Sequence, residues 1–238
     1  MTRPTITSVP DISIGVAHVA ARRLGSSGAL DTYLEALRAV GALTRLFVVG
    51  GDPRAPRGPF AEAIDVLRSD GLARFRPAAI GIGGYPDGHP EIPTAALDTA
   101  LERKAVTLAE LRVDAEVITQ VALDAVRVLD WIERLRGRGI ALPVRVGVPG
   151  PARASALLGF AAQFGAADGP TAIERYAGRR VTTDEVVSAD VFLDTVLARL
   201  DPRRHGAVAV HVFALGDAGV TARWVAERRA TDRGAAGR

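Results

Sequence analysis

The 238-residue chain contains no cysteine, which excludes disulfide staples and a thiolate nucleophile and suits a reducing compartment. Lysine is almost absent too: Lys104 is the only one, so nearly all of the positive charge is arginine. With a net charge of only +3 and the arginines scattered along helical segments, the pI of 9.9 reflects arginine content, not a dense basic patch, and nucleic-acid binding is not indicated. No apolar run approaches the roughly 18 residues of a membrane span, and residues 1–10 do not read as a secretory leader. His205 and His211 have no ligand spacing, so no metal centre is expected. These absences predict a soluble, cytoplasmic protein with neither a nucleic-acid nor a membrane partner.

What is present is alternation. At 48% hydrophobic and 24% charged residues, the chain can bury a large core as one α/β domain. Apolar runs over residues 12–19, 46–49, 78–83, 115–119, 144–148 and 207–213 read as buried strands. Helical periodicity fills the intervals at 29–40, 59–72, 94–111, 124–136, 152–164, 171–177 and 184–200, and a last helix follows at 220–229. Residues 165–169 interrupt the pattern, and residues 5–9 read as a short additional strand. Six strand-then-helix units predict parallel strands covered by helices.

One stretch concentrates polar chemistry. The apolar run ends in Gly83 and Gly84, where the absence of a Cβ lets a flat ligand approach the main chain. Tyr85 follows with a ring face and a hydroxyl, Pro86 and Pro90 stiffen the loop, and His89 can exchange a proton near neutral pH. Elsewhere Asp52 ends a strand after two glycines, and Gln120 ends another after Ile118 and Thr119. His18 closes the apolar run at 12–18, where a core role and a ligand contact are equally open.

The string Gly84-Tyr85-Pro86-Asp87-Gly88-His89-Pro90-Glu91, with Asp98 and Lys104 in the next helix, Ile118-Thr119-Gln120 at the next strand end and Gly50-Gly51-Asp52-Pro53 upstream, resembles the methylenetetrahydrofolate reductase family. The resemblance implies a (β/α)8 TIM-barrel-like fold, FAD as cofactor, and a tetrahydrofolate derivative and NAD(P)H as small-molecule partners. The reaction it implies interconverts 5,10-methylenetetrahydrofolate and 5-methyltetrahydrofolate. It assigns Asp52 to catalysis, as the negative group near developing positive charge. It assigns His18, Gly83, Gly84, Tyr85, His89, Asp98 and Lys104 to the flavin, and Gln120 to the pterin edge through paired amide hydrogen bonds. His89 has a second reading, a backbone hydrogen bond that shapes its own loop.

Aligned by these motifs, residues 12–18 correspond to the family's third strand. The expectation is therefore a barrel incomplete at its N-terminus, with about six β/α units over residues 1–230 and a flexible basic tail at 231–238. The family's acid, a glutamate on the first strand, then has no counterpart, and the aromatics that usually follow the Ile-Thr-Gln strand end are replaced by Val121-Ala122-Leu123. The alternative expectation is a catalytically impaired folate- or flavin-binding homologue, or a subunit that needs a partner. Open barrel edges invite pairing, which predicts a homo-oligomer.

Overall fold

The computed structural model describes residues 16–163 and 169–236; the expected strand at 5–9, the first part of the one at 12–19 and residues 165–168 lie outside them. In chain order the elements are β1 (Ala17–Ala20), a 3-10 turn (Ala21–Arg23), α1 (Ser27–Ala39), β2 (Arg45–Val49), α2 (Ala63–Leu67), α3 (Asp70–Phe75), β3 (Ala79–Gly84), α4 (Thr94–Leu111) and β4 (Asp114–Val121). Then come α5 (Ala125–Gly137), β5 (Val144–Pro149), β6 (Ala152–Arg153), α6 (Ala154–Gln163), α7 (Gly169–Ala177), β7 (Val186–Val187), α8 (Asp190–Arg199), α9 (Pro202–His205), β8 (Val208–Phe213) and α10 (Ala218–Ala236).

The main sheet has six strands in the order β1-β2-β3-β4-β5-β8, and the β1–β2, β2–β3 and β5–β8 pairs are parallel. The order follows the chain without the reversal that marks a doubly wound sheet, so the strands succeed one another as in a partial (β/α)8 barrel-like fold. Among the described residues no helix is long and apolar enough to cross a membrane.

The chain divides into two compact units. One comprises, of the described residues, 16–84 and Ala95–Ile118, and so holds β1 to β3 and most of β4. Its core alternates as a pleat requires: Leu46 and Val48 share one face of β2, and Ile80 and Ile82 one face of β3, all at 1% exposure or less;. Leu30 and Leu34, four apart on α1, are equally buried;. α1 starts at Ser26, whose hydroxyl accepts from the Ala29 N–H at 3.1 Å;.

The helix expected over residues 59–72 is two short helices instead. Ser69 stops the first, donating from its hydroxyl to the Val66 carbonyl at 2.7 Å, and starts the second by accepting from the Leu72 N–H at 3.2 Å. A side chain that serves both ends competes with continuous helix, and here it wins.

The second unit comprises, of the described residues, Tyr85–Thr94 and those from Thr119 onward. In it Val128, Ile132 and Leu135 form the buried stripe of α5. The helix expected over 184–200 begins only at Asp190. The residues before it pair in antiparallel register with β6, Ala152 with Val187 and Arg153 with Val186. Two adjacent β-branched valines favour extended backbone, and the Ala154 and Ser155 N–H groups donate to Glu185 O at 2.8 Å and Thr183 O at 2.9 Å. The last helix is tied down through Asp190, whose carboxylate accepts from Trp224 Nε1 at 3.1 Å and from Arg228 at 3.4 Å.

Candidate functional site

β4 ends in Thr119-Gln120-Val121, and its end is fixed by hydrogen bonds that leave little freedom. The Thr119 hydroxyl accepts from the Gly147 N–H at 2.8 Å and donates to the Gln120 carbonyl at 2.7 Å, while Gly147 O accepts from the Ala122 N–H at 2.9 Å. Gly147 has no room for a side chain: a Cβ there would lie 2.4 Å from Thr119 O and 2.7 Å from the Phe213 ring. The Gln120 side chain is oriented by its own strand, with Oε1 accepting from the Val121 N–H at 3.1 Å. The donor pair on Nε2 is therefore what this amide has left to offer a ligand.

The loop after β3 is equally specified. Tyr85 O accepts from the Gly88 N–H at 3.1 Å, and Gly88 sits at φ 80°, a conformation that only glycine adopts without strain. His89 Nδ1 accepts from the Glu91 N–H at 3.2 Å, which assigns the ring proton to Nε2. The Tyr85 and His89 rings meet edge to face with centroids 5.8 Å apart;. His89 thus shapes its own loop, the second of its two sequence readings.

These parts frame a small cleft of about 20 Å³. Pro86 and Asp87 line it from the loop, Gln120, Val121 and Leu123 from the end of β4, and Phe160 from α6. Just beyond Leu123, Asp124 caps α5 by accepting from the Val126 N–H at 2.9 Å and the Arg127 N–H at 3.1 Å, and it pairs with Arg175 of α7 at 2.7 Å. Burial raises the Asp124 carboxyl pKa, but the Arg127 and Val126 N–H groups and Arg175 outweigh it and hold the carboxyl below its ordinary range;.

Sequence reasoning singled out Tyr85, His89 and Gln120 in this unit. It gave no role to Asp87, although the residue lies inside the quoted loop, and it missed Phe160, which in a helical pattern reads as one more core residue. Phe160 places an aromatic ring at the end of β4, where Val121-Ala122-Leu123 stand in place of the family's aromatics.

The remaining candidates belong to the other unit. His18 is the second residue of β1, not its last, with its imidazole edge to face against Phe47 at 5.0 Å; burial lowers its pKa. Asp52 is on the surface with its side chain 75% exposed, in an ion pair with Arg23 at 3.1 Å. Gly83 and Gly84 are the buried end of β3, and Asp98 is half-buried on α4. Lys104 is buried at 9% exposure, and its Nζ donates to the Gly83 carbonyl at 3.4 Å.

A flavin asks for a slot for its ring and cations for its phosphates. The Tyr85 ring and the free His89 Nε2–H suit the edge of a flat ring system. Lys104 does not suit a phosphate, because its ammonium is enclosed and directed at a main-chain carbonyl.

Fold and site together define a parallel α/β, barrel-like protein with a small cleft at a strand end. A 73-residue stretch is 32% identical to Methylenetetrahydrofolate reductase 2 of Saccharomyces cerevisiae. The match covers 29% of this chain and 11% of the yeast protein, so this chain spans a small part of that relative's length. No family model matches the chain.

Proposed function

We propose that the chain is a folate-related oxidoreductase of the methylenetetrahydrofolate reductase kind, which interconverts 5,10-methylenetetrahydrofolate and 5-methyltetrahydrofolate. The observation that carries the reading is the small cleft at which the Gln120 amide, the loop of Pro86 to Gly88 and the Phe160 ring meet within one compact unit. The Nε2 donors of Gln120 orient a carbonyl on the edge of a bound pterin, while Phe160, Val121 and Leu123 supply apolar surface for its faces. FAD, reduced by NAD(P)H, supplies the hydride when bound, and Tyr85 and His89 are the residues of this unit that would meet its ring.

A second reading, binding without turnover, is favoured by Asp52. Its side chain is well solvated and paired with an arginine, a setting in which a carboxylate stabilises a nearby cation weakly. Spectroscopy separates the two. Protein reconstituted with FAD and bleached by NADH or NADPH regains its 450 nm absorbance on addition of 5,10-methylenetetrahydrofolate if it turns over. A bleached spectrum that stays unchanged, with folate binding intact by calorimetry, supports binding alone, and absence of both defeats the proposal.

A further inference from the structure

The second half of the loop after β3 is built around a side chain that titrates. His89 and Ile92 pair as an isolated antiparallel bridge, and Pro90 follows His89, where its fixed φ favours a turn. Inside that turn His89 Nδ1 accepts from the Glu91 N–H at 3.2 Å. A side-chain acceptor that reaches the N–H two residues on is ordinarily the oxygen of an asparagine or aspartate. An imidazole nitrogen fills the same place only while it is unprotonated. His89 is half-buried. The ionisable groups beside it are those of its own loop, Tyr85 edge to face against the ring and Asp87 and Glu91 two residues away on either side. Of these side-chain types only imidazole ordinarily changes charge between about pH 5 and 8.

We propose that the turn of His89 to Ile92 is a pH-sensitive latch, closed while the neutral imidazole accepts the Glu91 N–H and opened by a solvent proton on Nδ1, which sets one donor against another. Opening also releases the ring from its contact with Tyr85. The same loop supplies Pro86, Asp87 and Gly88 to the wall of the cleft, so the latch sets how firmly that wall is held. The inference stands on the loop's own hydrogen bonding and holds whichever ligand the cleft takes.

The test is solvent exchange of the Glu91 amide, followed by NMR in the full chain and expressed as protection relative to an unstructured peptide of the same sequence at the same pH. In the wild type this protection falls by about threefold to tenfold between about pH 8 and pH 5, the worth of one neutral hydrogen bond, and it falls along the titration of the His89 ring resonances. His89→Asn keeps an acceptor two residues before the Glu91 N–H and cannot titrate, so its protection stays level over the same range. His89→Ala, with no acceptor, is as poorly protected throughout as the wild type is in acid. Wild-type protection that stays level while the His89 ring titrates overturns the proposal, and so does an asparagine variant that loses protection as the wild type does. Because the readout is the loop amide itself, either result leaves the function proposed above untouched.

Discussion

Replacing Lys104 by methionine keeps the aliphatic stem of the side chain and removes a buried ammonium. The lysine is nine-tenths buried, and burial pulls its pKa down from 10.5 to about 8, an effect that the Glu62 carboxylate only partly opposes. At about 1.4 kcal/mol per pKa unit, holding the charged form inside the folded chain costs roughly 3 kcal/mol. Below pH 8 the ammonium is charged in both folded and unfolded chains and the full cost applies. Between pH 8 and 10.5 the folded chain has released the proton while the unfolded chain still holds it, so stability rises with pH across that window. Urea unfolding from pH 7.5 to 10.5 should show the wild type gaining roughly 3 kcal/mol relative to Lys104→Met, with the variant the more stable of the two at pH 7.5. Because the chain has a single lysine, one 13Cε resonance reports its titration directly. A midpoint near 10.5, or parallel stability profiles for the two proteins, would refute the reasoning.

Gly147→Ala should cost at least about 3 kcal/mol, because a Cβ 2.4 Å from Thr119 O forces backbone to move; calorimetric melting checks this, and an unchanged melting temperature would contradict it. Asp124→Ala should cost about 1–2 kcal/mol by removing the α5 cap and the Arg175 partner. The wild-type advantage over that variant should be complete above the ordinary carboxylate range and fade as pH falls through the depressed pKa, which urea titrations at pH 7 and pH 3 would resolve. Phe160→Ala should weaken 5-methyltetrahydrofolate binding by about tenfold with little loss of stability, measured by fluorescence titration.

Much of the scaffold could be read from residue patterns, and the failures have local causes. The strands expected at 46–49 and 78–83 announced themselves because apolar runs ended in glycine, and the helix expected over 124–136 is α5, with Asp124 as its cap. The break at Ser69 was hidden, since a hydroxyl that caps both ways looks like any helix serine. The β6–β7 ribbon was hidden as well, because Val186 and Val187 also fit a helical period and their partner lies two helices earlier in the chain. His18 was placed at a strand end when the strand continues to Ala20. For the site, the loop after β3 and Gln120 were visible as a motif. Phe160 was not, because only tertiary packing brings α6 beside the end of β4, and Lys104 gave no sign that its charge is enclosed.

The central claim is that the cleft at the end of β4 is a reduced-pterin site organised by Gln120. Titration of 5-methyltetrahydrofolate into wild type and Gln120→Leu by isothermal calorimetry tests it most directly. The account predicts one saturable site in the wild type, weakened by about tenfold or more in a variant that melts at the same temperature. Equal affinity in the two proteins, or no binding by the wild type, would contradict it.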